Sequence, residues 1–273
     1  MAHYTVIGAA GFVGRRLVEA LAAEGETAFA PVRDDPRLFT EDLGRVFYCA
    51  GLTADYLARP FETVEAHVGL IARILERARF ERLVYLSSTR LYDWMGPDAG
   101  REDEPLRLTP AEPRHLYDLS KALGETLCLT QSGGRAAVAR LACVWDWREG
   151  APGFLSEWMQ AARRSRDLTF QSGAGYVRDY IHLDDTVAAL RAILDSGKTE
   201  IFNVASGENV SNGELAEVFE RNGWRIALTR GLTPRQAAPM CDTARIRALG
   251  VDPHPVRQVI EARLLQEDFV EAD

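Results

Sequence analysis

The segment "YTVIGAAGFVG", residues 4–14, decides how the rest of the chain is read. The apolar run YTVI passes directly into Gly8, Gly11 and Gly14, and "RRLVEALAAEG" (15–25) follows as a helix that ends at Gly25. A strand, a glycine turn and a helix in that order are what a dinucleotide site requires. Glycines permit the tight turn and let a pyrophosphate approach the helix N-terminus, where unpaired N–H groups and the helix dipole favour an anion. The spacing is G-x-x-G-x-x-G, whereas the usual fingerprint is G-x-G-x-x-G. Glycines at such a junction also serve as plain turn formers, but the place directly after an apolar strand favours the binding site.

The same rhythm continues downstream. "TAFAPV" (27–32), "RVFYCAG" (45–51), "RLVYLSS" (82–88) and "AAVARLACVW" (136–145) read as further strands. An amphipathic segment over 61–79 presents Val64, Val68, Ile71 and Leu75 on one face. Residues 93–115 are an acidic, proline-rich loop, and a helix with Leu116, Leu119, Leu123 and Leu127 as its stripe follows. Strands alternating with helices of this length predict an α/β fold, a doubly wound parallel Rossmann sheet covered on both faces. After about residue 146 the elements shorten. Residues 1–146 are therefore expected to form the dinucleotide-binding domain, and 147–273 mainly a small C-terminal substrate-binding lobe, with later strands returning to the sheet.

Composition narrows the function. With 273 residues, 47% apolar and 26% charged, the chain suits one large soluble domain or one domain with a lobe. A net charge of −8, without a basic run, argues against nucleic acid as a partner. No apolar stretch reaches membrane-span length, and the N-terminus does not read as a signal peptide. Cys49, Cys128, Cys143 and Cys241 lie far apart, as expected of reduced thiols in a cytoplasmic protein rather than a disulfide framework or a metal site.

The second strand of a dinucleotide fold ordinarily ends in an acid that binds the adenosine ribose. Here Val32 stands at that place, followed by Arg33. An arginine there suits a 2′-phosphate, although a surface pair with Asp34 or Asp35 would also account for it. NADP is favoured over NAD.

"YDLSK", residues 117–121, contains one of only two lysines among 32 basic residues. Residues four apart share a helix face, so Tyr117 and Lys121 point at the same space. A phenol titrates near 10, and a neighbouring ammonium favours its phenolate, which makes the pair a usable proton carrier. With eight tyrosines and two lysines, the spacing is not expected by accident. An arginine cannot replace a compact ammonium reaching under a ligand.

Taken together, "GAAGFVG", "YCAG", "LSSTRLYD", "YDLSKALGE", "RLACVW", "RDYIHLDD" and "FNVASGE" resemble the extended short-chain dehydrogenase/reductases, the NAD-dependent epimerase/dehydratase group, over nearly the whole chain. The resemblance implies a catalytic set of Ser88, Tyr117 and Lys121, with Tyr117 carrying the proton and Lys121 holding the nicotinamide ribose. It implies cofactor contacts from Gly8, Gly11, Phe12, Val13 and Gly14, then Arg33, and then Cys49, Ala50, Gly51 and Leu86. Substrate contacts fall to Ser88, Thr89, Arg90, Cys143 and Arg178, the last aimed at the diphosphate of a nucleotide-sugar. The "HLDD" that follows is expected to cap a helix near Asp184, and no metal is expected. Glu102 and Asp103 are expected in a solvated loop.

The chain departs from the family pattern in informative places. The 4,6-dehydratases carry Asp-Glu where Thr89 and Arg90 stand, and the GDP-fucose synthase type carries a cysteine at the second position. Cys143 replaces an asparagine, and no third strand with an adenine-contacting aspartate is found between Arg33 and Arg45. The expectation is a nucleotide-sugar 4-ketoreductase or 4-epimerase, the reductase favoured because tight NAD retention is weakly supported. A reductase or isomerase of a non-sugar ketone or lactone, or a non-catalytic dinucleotide sensor, are the other readings. A homodimer built on the helices near 61–79 and 115–131 is expected.

Overall fold

The structure is a computed structural model and describes residues 4–266 together with Phe269. Strand β1 (Tyr4–Ile7) passes through the glycine turn into α1 (Phe12–Ala23), followed by β2 (Ala28–Phe29), the short α2 (Arg37–Thr40) and β3 (Arg45–Tyr48). Next come α3 (Pro60–Val64), a π-helical turn over Glu65–Gly69, α4 (Leu70–Arg77), β4 (Arg82–Ser88) and a 3₁₀ turn over Thr89–Tyr92. Then α5 (His115–Gln131) leads to β5 (Ala136–Leu141).

These five strands and a later one, Ile201–Val204, form one parallel sheet. β1 lies between β2 and β3, so the chain leaves its first strand in one direction and returns on the other side. Ligands bind at such switch points, outside the carboxyl ends of the strands. The strands are buried on both faces, as Val, Phe, Tyr and Ala runs in a parallel sheet should be. As the sequence suggested, residues 30–44 hold α2 and no third strand among the described residues; one isolated bridge, Asp42 to Arg79, is all that pairs there.

The strand expected over 136–145 divides at Ala142. Its second part, β6 (Cys143–Trp145), leaves the main sheet. After α6 (Phe154–Arg164), β7 (Asp167–Phe170) and β8 (Val177–His182), helix α7 (Leu183–Asp195) and β9 (Ile201–Val204) return to the main sheet. The remainder is β10 (Asn209–Ser211), α8 (Asn212–Arg221), β11 (Arg225–Leu228), α9 (Ala244–Arg247) and α10 (Val256–Leu264). β10, β8 and β6 make a small sheet, and β11 pairs with β7. A second core, separate from the one beneath the main sheet, holds them: Trp145, Trp158, Phe219 and Trp224 are buried, with Trp158 stacked 4.1 Å from Phe170. Burial of such large rings contributes about 2 kcal/mol or more each.

Both long helices differ from the periodic reading. Between α3 and α4 the π turn inserts one residue and rotates the face, so Thr63, His67, Ile71 and Ile74 point inward while Val64 is exposed. Tyr48 and Tyr85 donate to the carbonyls of Ala66 and His67, which the widened turn leaves available. On α5 the inward face is Tyr117, Asp118, Ser120, Lys121, Gly124, Glu125 and Cys128. Of its leucines only Leu123 is exposed, at 49%, while Leu127 and Leu129 pack partly buried against the core. Glu125, the charged acid at the centre of the inward face, is satisfied there, accepting a bidentate pair from Arg140 and a bond from Ser87. No helix among the described residues is long and apolar enough to cross a membrane.

Candidate active site

The site lies where β4 ends and α5 begins. β4 delivers Ser88 at the carboxyl edge of the sheet, and its hydroxyl accepts the Arg90 N–H at 3.2 Å, which closes the 3₁₀ turn. Tyr117 and Lys121 stand one turn apart on the inward face of α5. Lys121 Nζ donates to the Leu86 carbonyl at 2.8 Å and sits 5.0 Å from the centre of the Tyr85 ring. A Cβ at Gly51 would stand 3.3 Å from this ammonium. Burial pushes the Lys121 amine down to about 7, although the Glu125 carboxylate opposes the fall.

Tyr117 is buried against Tyr56, with ring centres 5.4 Å apart, and against the edge of His67 at 5.1 Å. Burial raises its phenol above the ordinary tyrosine value. Hydrogen bonding to Ser88, the Arg90 charge and a hydrogen bond with Thr53 work against the rise. The structure therefore brings Ser88, Tyr117 and Lys121 into one cluster, with the phenol held protonated at neutral pH.

The glycine turn fits a pyrophosphate. Gly8 has φ +85°, and a Cβ there would come within 2.7 Å of the Ala50 nitrogen; one on Gly14 would lie 2.4 Å from the Gly8 carbonyl oxygen. Backbone can approach a ligand there only because side chains are absent. α1 opens at Gly11 with no side-chain cap and no acid in its first turn, so its N–H groups are available to an anion. Phe12 and Val13 are half-buried behind this turn. Cys49, Ala50 and Gly51 follow β3 and face it, and the Cys49 thiol is pushed up to about 12 by burial.

Three residues beyond β2, Val32 is exposed and Arg33 projects outward, 3.6 Å from Glu62. The alternative pairing with Asp34 or Asp35 is not what forms: Asp35 turns in to cap α2 and takes Arg37 instead. Asp34 adopts the left-handed region, with φ +61°. Val32 and Arg33, rather than an acid, therefore stand where the sequence expected the ribose contact.

On the opposite side, Thr89 donates to the Leu141 carbonyl at 3.3 Å. Arg90 lies over the Tyr117 ring at 4.4 Å and the Tyr56 ring at 5.0 Å. Cys143 is solvent-accessible on β6, within the fields of Arg178 and Arg90. Arg178, on β8, stacks on Tyr176 at 4.5 Å and lies 3.9 Å from Asp93. His182 caps α7 by accepting the Asp184 N–H at 3.2 Å, as "HLDD" suggested. Glu102 departs from its expected solvation: it is buried and accepts the Asn203 N–H at 3.0 Å, whereas Asp103 is exposed beside Arg101.

Tyr56, His67 and Asp118 were not anticipated. His67 bonds Ser120 through Nδ1 at 2.8 Å, and Ser120 in turn donates to the Tyr117 carbonyl. Burial, with the Lys121 charge second, drives the His67 ring down to about 2, so it stays neutral. Only the π turn carries it inward, and no spacing in "EAHVG" announces that turn.

The sequence model of the NAD dependent epimerase/dehydratase family matches residues 4–205. The chain belongs to this family. It is 25% identical over 307 aligned positions to a dTDP-4-dehydro-6-deoxy-D-allose reductase of Streptomyces bikiniensis, covering 94% of this chain and 93% of the relative. Among solved structures it resembles MoeE5 in complex with UDP-glucose and NAD, with a TM-score of 0.76 and 22% identity over 96% of this chain and 97% of that one. RMD from Pseudomonas aeruginosa, complexed with NADPH, gives a TM-score of 0.74 at 24% identity, over 98% and 99%. As a member, the chain is an enzyme on a Rossmann sheet.

Proposed function

We propose that the protein reduces the 4-keto group of a nucleotide-sugar, with NADPH preferred to NADH. The observation that carries this reading is Tyr117, buried and protonated, with Ser88 beside it and Lys121 behind it. Burial of the phenol favours a proton donor over a resident base, which suits reduction better than oxidation. Ser88 would donate to the carbonyl oxygen and hold it in place as charge develops. The Tyr117 O–H would then pass its proton to that oxygen. Lys121, its ammonium destabilised by burial, would stabilise the phenolate left behind and hold the ribose of the cofactor. Bound at the glycine turn, the nicotinamide dinucleotide supplies the hydride.

Thr89 and Arg90 follow Ser88, so the carboxylates that dehydration needs are not presented there. Arg33 beside an absent ribose acid supports the 2′-phosphate of NADP. Arg178, close to the cleft cysteine Cys143, would take the substrate diphosphate.

Initial rates of NADPH and NADH oxidation on UDP- and dTDP-4-keto-sugars test the reading, together with the nucleotide content of the purified protein. NADPH consumption matched to alcohol formation is the expected result. Stoichiometric bound NAD, with sugar epimers interconverted and no net NADPH use, would replace reduction with 4-epimerisation.

A further inference from the structure

Three other arginines near the site each have a carboxylate neighbour. Arg114 and Arg178 share Asp93, and Arg140 is locked to Glu125. Arg90 differs from them. It is half-buried, and among the described residues no carboxylate lies within ion-pair distance of its guanidinium. Its side chain makes one hydrogen bond, to the Tyr56 hydroxyl at 3.3 Å. The remaining donors of a rigid five-donor fork have no such partner. Asp118, next to Tyr117 in the chain, contributes a negative field at Arg90 but forms no bond to it. Burial also raises the Asp118 carboxyl, which weakens its compensation.

A cation removed from water without a partner is costly, and such groups are found paired. Arg90 is held in position nonetheless, packed over both the Tyr56 and Tyr117 rings, with its backbone N–H fixed to Ser88. The fork therefore has a defined place before any ligand arrives. That place is the face of the proposed proton donor, 4.4 Å from the Tyr117 ring centre. An anion meeting it must be carried next to the reacting carbon. The diphosphate does not qualify, because the sugar ring separates it from the carbon being reduced.

We propose that Arg90 determines substrate specificity by pairing with a carboxylate on the sugar ring, so that the substrate is an acidic nucleotide-sugar of the uronate class. This rests on the nucleotide-sugar reading given above. Planar guanidinium and planar carboxylate match as a two-bond fork, and a lysine would not reproduce that geometry. Cation–π contact with two tyrosines keeps the fork oriented while it waits.

Binding of UDP-glucuronate and UDP-glucose, and of their dTDP counterparts, is measured by calorimetry on the full chain with NADP present. The wild type should hold the acidic member of a pair about 10- to 100-fold tighter than the neutral one. Arg90→Gln should erase that preference and leave neutral-sugar binding much less affected. Arg90→Lys should keep part of it. Circular dichroism melts of both variants establish that they fold. Equal loss for acidic and neutral sugars in Arg90→Gln, or a wild type that prefers the neutral sugar, would overturn the assignment while leaving the nucleotide-sugar reading standing. Binding of neither sugar, with either nucleotide, would overturn both.

Discussion

Lys121 Nζ donates to the carbonyl oxygen of Leu86 across 2.8 Å, joining the middle of α5 to the carboxyl end of β4. The bond fixes the ammonium below the cleft, in a space bounded by Tyr85, Gly51 and His67. A guanidinium is broader than an ammonium and does not lose its proton at any accessible pH. One lysine in an arginine-rich chain thus has a steric and an electrostatic reason. The cost is that a buried amine is less willing to be charged than it would be in water.

That cost should be visible as a pH-dependent stability. An unfolded lysine titrates near ~10.4, whereas Lys121 in the fold has been lowered to about 7. Between these values the unfolded chain binds more protons, so this residue makes stability rise with pH. Below about pH 7 both states hold the proton and the full penalty stands; above about 10 it is gone. Lys121→Met should therefore raise Tm more at pH 6 than at pH 10, even as turnover is lost. Melting curves at both pH values check this. A Tm difference independent of pH would mean that the amine is not desolvated.

Tyr117→Phe should abolish turnover while leaving dinucleotide affinity nearly unchanged. The ring packing with Tyr56 and His67 survives the substitution, and only the hydroxyl shared with Ser88 is removed. A loss of about 10²-fold or more in kcat is expected for a missing general acid. Fluorescence titration with NADPH gives the affinity. Retained turnover would end the assignment of Tyr117 as proton carrier.

How far the sequence could be read depended on whether local pattern or tertiary context made the choice. The glycine turn, the strand ending in Ser88 and the Tyr117–Lys121 spacing were legible because each is a local rule. The faces of α3–α4 and α5 were not. A π turn moved His67 inward without any compositional mark, and α5 placed its polar residues inside because Arg140, on β5, waited there for Glu125. The helix then left Leu123 outside and its other leucines at the margin of the core. The break at Ala142 that sends Cys143 to another sheet was likewise hidden in one apolar run, since periodicity cannot tell which sheet a strand joins.

Arg33 offers a clean test of cofactor choice. It is exposed, and its pair with Glu62 is a surface contact that Arg59 also makes, so its removal should barely touch stability. Arg33→Ser should weaken NADPH binding by about tenfold or more through the lost phosphate contact and leave NADH binding unchanged. Paired titrations of the variant and the wild type decide it. Equal effects on both cofactors would show that Arg33 does not read the 2′-phosphate.

The outward leucines lead to the last prediction. Leu57 and Phe61 are 57% and 88% exposed, Val64 is 42% exposed, and α3 packs beside α5, whose Leu123 is 49% exposed. Scattered single apolar residues at a surface need no explanation, but Phe61 and Val64 on α3, Leu57 just ahead of it and Leu123 on the adjoining α5 are a candidate patch on neighbouring elements. A two-fold partner presenting the same patch would bury it, and closed two-fold dimers are the commonest assembly. The π turn sharpens the case, because by rotating Thr63 inward it turns Val64 out next to Phe61. Sedimentation velocity at micromolar concentration should give about twice the chain mass of 30.3 kDa. Phe61→Asp combined with Leu123→Asp should shift the species to one chain while circular dichroism stays native, since neither side chain is part of a core. A wild-type sample that sediments only as a single chain would refute the dimer.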